Sequence, residues 1–344
     1  MTTTVYVSNA GSAEISALRL DPDGTLRPPR TIPVRGAVMP LAVAPGGHRL
    51  YASLRSVPYS VACFDIDAGT GELTELATVP LPDNMAYLSV DRGGRYLLAA
   101  SYTGNVVSVS ALRADGRAAE SVAVQSTPPH AHSIVADPTN RFVFATALGG
   151  DVILRYRFDA EGGLLTPEPG ASIRTKPGAG PRHLLFHPSG GFAYVSNELD
   201  GTVSAFEFDN DTGDLTAIDT YTVIPHGYPE PWTSELRCTP DGRYLYVSER
   251  RSSTLAGFAI DSDSGALHPL GHTATETCPR GFDIDPTGRY LVAAGQESDS
   301  LTVHAIAPGT GALTTLARYP VGRDPNWVQI VSSTGRGHTS PRHP

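Results

Sequence analysis

Thr239-Pro240-Asp241-Gly242-Arg243-Tyr244-Leu245-Tyr246-Val247-Ser248 couples a Pro/Asp/Gly turn to a run in which aromatic or aliphatic residues alternate with small ones. Such a run, entered from an apolar strand through a tight turn, marks a β-hairpin. Forms of the same phrase stand at 44–53, 91–97, 137–144, 187–194 and 285–291, and their starts lie roughly 46 to 52 residues apart. That interval is the length of one four-stranded propeller blade. After each hairpin comes a third strand, such as Val203-Ser204-Ala205-Phe206-Glu207-Phe208, and then a turn of the type Asp-x-x-Thr-Gly-x-Leu, at 67–73, 209–215 and 261–267. Glycine at a fixed place in that turn suits a backbone that needs positive φ.

Six copies of the hairpin are complete and a seventh is divided between the ends of the chain. Val5-Tyr6-Val7-Ser8-Asn9 matches its second strand alone, and Asn326-Trp327-Val328-Gln329-Ile330-Val331 matches its first alone. The pattern predicts an all-β, seven-bladed β-propeller closed by pairing of the N- and C-terminal strands, which would remove exposed sheet edges. Residues 1–332 read as this single domain, and 333–344, polar and rich in Gly, Pro and His, read as a disordered tail.

Composition narrows the function classes. A formal charge of −9 argues against a nucleic-acid or anionic-membrane surface, so an anionic ligand must meet a concentrated cationic site. Met1-Thr2-Thr3-Thr4 has no basic segment and no apolar run approaches a membrane span, so a cytoplasmic location is expected. Cys63, Cys238 and Cys278 are odd in number and far apart, which speaks against a disulfide framework. Lysine occurs once, at Lys176, so Schiff-base chemistry would rest on that residue.

What a propeller does is decided at the end of its central channel, where loops from several blades meet. The segment before each Pro/Asp/Gly turn should approach that channel. It carries His130 and His132 in the third blade, Arg182 and His183 in the fourth, Trp232 and Glu235 in the fifth, and Arg280 in the sixth. Glu198 and Arg250 directly follow hairpins. Each has a plainer reading. His130 and His132, spaced by two, would share one face of a strand, as metal ligands do, but no third ligand follows at a recognisable spacing. Arg182 and Arg280 would also serve to brace neighbouring blades, and Glu198 with Arg250 would also serve as a structural ion pair.

Gly-Pro-Arg-His at 180–183, Ser-Asn-Glu-Leu at 196–199, His-Ser at 132–133, Pro-Arg-Gly-Phe at 279–282 and Ala-Ala-Gly-Gln at 293–296 together resemble the seven-bladed propeller lactonase family. That family includes bacterial 6-phosphogluconolactonases and fungal 3-carboxymuconate-lactonizing enzymes, and the similarity runs from about Val5 to about Val331. The resemblance implies His132, Arg182, Glu198 and Arg250 as catalytic residues, with no cofactor and no metal. Tyr87 and Pro231 depart from the pattern, standing where a histidine and an arginine are often found. Opening a six-membered lactone needs a base to activate water, donors for the oxyanion and an anchor for an acidic tail. Glu198 or His132 would be the base, with His132 the better acid if two arginines keep the glutamate ionised. Arg182 and Arg250 would hold the oxyanion, and His130, His183, Trp232, Glu235 and Arg280 would bind a small anionic or sugar-lactone substrate. Two other functions fit the same chain: a lactonizing cycloisomerase acting on a muconate-type acid, and a non-catalytic scaffold or ligand sensor.

Overall fold

The computed structural model describes residues 2–333 apart from Pro169 and Pro229. The tail read from the sequence lies, beyond Ser333, outside the described residues. Seven antiparallel sheets follow one another along the chain. We number them from the first sheet complete in sequence: blade 1 spans 38–80, then 85–126, 131–174, 181–222, 233–274 and 279–320, and blade 7 joins 325–333 to 2–33. Each innermost strand touches the innermost strand of the next blade. The series runs from Val38–Val43 through Met85–Val90, Ala131–Ala136, Pro181–Phe186, Thr233–Cys238 and Pro279–Ile284 to Pro325–Ser333, which packs back on Val38–Val43. The closure is as the split hairpin predicts: Pro325–Ser333 is the innermost strand of blade 7 and pairs antiparallel with Thr2–Asn9. No helix among the described residues is long and apolar enough to cross a membrane.

The repeated tyrosine explains why the phrase repeats. Tyr6, Tyr51, Tyr194 and Tyr246 lie in second strands and are fully or almost fully buried. Each donates its hydroxyl to a glycine carbonyl in the outer turn of the following blade: Gly71 at 2.7 Å, Gly116 at 3.0 Å, Gly265 at 2.9 Å and Gly311 at 2.6 Å. A buried phenol needs such a partner, and its ring fills the interface between blades. Gly311 has φ 68°, and a Cβ there would come within 2.4 Å of the Tyr244 ring, so the turn accepts only glycine.

One irregularity is common to all seven blades and builds the site. Near its N-terminal end every innermost strand carries one more residue than its partner: the register breaks at Val38/Leu41, Met85/Tyr87, Ala131/Ser133, Pro181/His183, Thr233/Leu236 and Pro279/Gly281, and opposite Ser8/Asn9 in blade 7. A β-bulge of this kind breaks the alternation of a strand and re-aims a side chain. The extra residues are Ala86, His132, Arg182, Arg280 and Asn326 where one is inserted singly. The hydroxyl that ends the Tyr-Val-Ser phrase fixes these bulges. Thr146 and Ser196 accept the N–H groups of Ser133 and His183 in their own blades, and donate to the carbonyls of Arg182 and Ser234 in the next.

Candidate active site

The bulge lets two consecutive residues, Arg182 and His183, lie within hydrogen-bond reach of one another, 3.0 Å between Nη1 and Nε2. A regular strand would send them to opposite faces. The residue four places after each interblade tyrosine supplies the other half of the site. Glu198 follows Tyr194 and Arg250 follows Tyr246 at this spacing, each directly beyond its second strand. Arg182 Nε donates to Glu198 Oε2 at 2.8 Å, and Arg250 Nη2 stands 2.8 Å from the same oxygen. Both arginines thus clamp one carboxylate oxygen, and Oε1 makes no hydrogen bond among the described residues. Arg250 is held in turn by the Trp232 carbonyl at 3.1 Å and lies 3.8 Å above the Trp232 ring. Arg182 Nη2 and Arg250 Nη1 make no hydrogen bond among the described residues.

A polar chain anchors this clamp in the core. His183 Nδ1 is 3.0 Å from Glu235 Oε1, which also accepts from Arg237 Nη1 at 2.8 Å; Arg237 Nε donates to Asp283 Oδ1 at 3.2 Å. A guanidinium only donates, so His183 Nε2 must accept from Arg182, and the ring proton sits on Nδ1 and points at Glu235. The imidazole is therefore neutral. Burial, reinforced by Arg182 and Arg237, holds its pKa well below the usual histidine value. Tyr87, His183 and Trp327, from blades 2, 4 and 7, meet with ring centroids 4.9 to 5.7 Å apart and close the channel beneath the site.

His132 is 4% exposed, with its ring 5.1 Å from His183 and its Nδ1 buried without a hydrogen-bond partner. Burial and the Arg182 charge keep it neutral at pH 7. His130 lies outside the strand that begins at Ala131, has φ 64°, and stacks on Tyr102 at 4.2 Å. The two histidines therefore do not share a strand face, because His130 belongs to the preceding turn and His132 to the bulge. His183 and Glu235, each 1% exposed, lie below the mouth and are committed to one another, so they position Arg182 instead of touching a ligand. Trp232 supports Arg250.

Opposite the clamp, blades 6, 7, 1 and 2 enclose a cavity of about 330 Å³ lined by Arg280, Arg55, Asn84, Asn326, Gln296 and Asp324 among others. Burial lowers the Arg280 pKa to about 10, which leaves it cationic, and its buried Nε has no acceptor among the described residues. Arg55 escaped the sequence reading, yet it stands four residues after Tyr51, the spacing that gives Glu198 and Arg250. Tyr102 was missed as well, since its blade has no tyrosine at the reference position. The large exposed apolar residues, such as Val57, Val124, Leu199 and Leu270, are spread over different blades instead of forming the face a scaffold would present.

Comparison with known proteins agrees with this geometry. The chain matches the family model for lactonases of the seven-bladed β-propeller type over residues 2–330. It is 40% identical to a 6-phosphogluconolactonase of Pectobacterium carotovorum over 333 residues, covering 96% of this chain and 99% of that one. A 6-phosphogluconolactonase of Serratia proteamaculans is 37% identical, with 95% and 98% covered. Among solved structures, the periplasmic gluconolactonase PpgL of Pseudomonas aeruginosa superposes with a TM-score of 0.91 at 31% identity, covering 97% of this chain and 100% of that one. On a match spanning nearly every blade, the chain belongs to the seven-bladed β-propeller lactonase family and is an enzyme of the carboxylic ester hydrolase class.

Proposed function

We propose that this enzyme hydrolyses a six-membered sugar lactone, 6-phosphoglucono-1,5-lactone above all, at the cluster formed by Glu198, Arg182, Arg250 and His132, and that it does so in the cytoplasm. The observation that carries this reading is the asymmetric clamp on Glu198: Oε2 is held by two guanidinium groups while Oε1 has no donor among the described residues. A carboxylate fixed in this way is oriented as a base, with one oxygen free to take a proton from water.

In the proposed reaction Glu198 Oε1 removes a proton from water as the water oxygen bonds to the lactone carbonyl carbon. Negative charge develops on the carbonyl oxygen and is met by Arg182 Nη2 and Arg250 Nη1, donors already in place and in a largely desolvated setting. The tetrahedral centre then collapses, the bond from that carbon to the ring oxygen breaks, and the proton held by Glu198 passes to the departing alkoxide. One carboxyl group serves as base and then as acid, so a neutral His132 suffices as a hydrogen-bonding member of the cluster. His183 and Glu235 act beneath it by holding Arg182.

The similarity of the chain to proteins named 6-phosphogluconolactonase supports the phosphorylated sugar as substrate. The test is the hydrolysis of freshly generated 6-phosphoglucono-1,5-lactone against its spontaneous rate, with wild type and Glu198→Gln side by side. Acceleration that the variant loses is expected. Equal rates with and without wild-type enzyme would overturn the reading, and a muconate-type acid would then test the lactonizing direction.

A further inference from the structure

We propose that the cavity opposite the clamp is the subsite for the phosphate monoester of the substrate, with Arg55 and Arg280 as its two cationic ligands. The inference rests on lactone hydrolysis at Glu198 and deepens it by assigning which residues choose a phosphorylated over an unphosphorylated lactone.

The argument begins with pairing. Among the described residues neither Arg55 nor Arg280 has a carboxylate within ion-pair distance. Arg55 Nε donates to Asn84 Oδ1 at 2.5 Å, an uncharged partner that orients the guanidinium without pairing its charge. Arg280 Nε is buried with no acceptor among the described residues. A desolvated donor without a partner costs on the order of 1–3 kcal/mol, and more when charged, so it points to a ligand atom that fills the position. A second arginine-rich cavity makes the contrast plain. The space of about 710 Å³ between the outer strands of blades 7 and 1 is lined by Arg19, Arg27 and Arg30, but there the first two pair with Asp21 and the third with Glu72. There every arginine has a carboxylate within ion-pair distance.

The lining of the subsite suits a phosphate on a polyol. Arg55 and Arg280 can each offer two parallel N–H groups to phosphate oxygens. Asn84, Asn326 and Gln296 offer amides to hydroxyls along the sugar chain. Asp324 is the one carboxylate at the cavity; two cations against it leave a net positive pocket on a chain of formal charge −9. Burial pushes the Asp324 carboxyl up, while Gln296 and the charges of Arg280 and Arg55 pull it down. Position completes the case. Arg280 lies near enough to feel the charges of Arg182 and Glu198 on one side and of Arg55 on the other, which sets the cavity beside the clamp.

The test compares binding of 6-phosphogluconate and gluconate, by calorimetry, to wild type, Arg55→Ala and Arg55→Lys, alongside the kcat/KM ratio for the phosphorylated and unphosphorylated lactones. Wild type is expected to favour the phosphorylated ligand, and Arg55→Ala to weaken 6-phosphogluconate roughly 10- to 100-fold, collapsing that preference. Arg55→Lys should recover part of it, as a point charge replaces a bidentate fork. A preference that survives Arg55→Ala, or equal wild-type affinity for both ligands, overturns the subsite. Arg55-dependent binding of 6-phosphogluconate by a protein that accelerates no lactone would leave the subsite standing and the hydrolysis reading overturned. Hydrolysis with a preference indifferent to Arg55 would do the reverse.

Discussion

The two sides of the channel mouth use the same residue type in opposite ways. On the side of blades 4 and 5, Arg182 and Arg250 are buried, converge on Glu198, and are braced by His183 and by the Trp232 ring. On the side of blades 6 and 1, Arg280 and Arg55 meet no carboxylate within ion-pair distance among the described residues. An arginine whose charge is met by the protein has a positioning task. An arginine whose charge is left over is free to take a counter-charge from a ligand. In the proposed reading the difference separates chemistry from selectivity: the paired side would orient a base and face the developing oxyanion, and the unpaired side would grip the anionic group of the substrate.

Experiments can break or sharpen this division. The largest effect belongs to Glu198→Gln, which keeps the shape of the clamp and removes the base. We expect turnover to fall roughly 10²- to 10⁴-fold, with an unfolding midpoint close to that of wild type. If turnover persists, Glu198 is only the keystone of an ion pair, and the paired side is structural. Next is Arg182→Ala, which leaves Glu198 and His183 without their shared donor in a buried site. Its cost in chemical denaturation should be about 3–5 kcal/mol, and activity should vanish with it. Arg55→Ala, at the half-buried rim, should leave the denaturation midpoint almost unmoved. Equal destabilisation by the two would erase the distinction between sides.

A smaller effect is expected in acid. His132 and His183 are held neutral by burial with pKa values well below 6.5, so below that value the unfolded chain binds protons that the folded chain does not. Stability is then complete above pH 6.5 and falls as pH drops through it, by about 1.4 kcal/mol per pH unit for each histidine until its folded pKa is reached. Because both lie on the paired side, His132→Gln should flatten the acid limb of a stability-against-pH profile. An unchanged slope would mean that His132 already carries a proton. The mildest prediction is far from both sides. Tyr246→Phe removes the donor to Gly311 and should cost about 1–3 kcal/mol of stability, with kcat/KM within about twofold of wild type. A large kinetic loss would mean that the blade interfaces, and not the mouth alone, set the geometry of the clamp.

The amino-acid sequence by itself determined the architecture. A hairpin phrase repeated six times and split once leaves one economical ring, because each blade has an apolar face that only a neighbour covers and the divided copy has only its other half to pair with. It also brought Arg182, Glu198, Arg250 and His132 into view, since charged residues stand out where other repeats carry bland ones. Tertiary structure decided the rest. The bulge that turns Arg182 and His183 to the same side is one inserted residue per strand, and it leaves no local signature that separates it from ordinary alternation. Which arginines are paired depends on contacts between residues distant in the chain, as when Arg182 and Arg250 share Glu198. Arg55 shows the limit most clearly. Its register after Tyr51 is written in the sequence, but that no carboxylate comes within ion-pair distance of it among the described residues is a property of three-dimensional space.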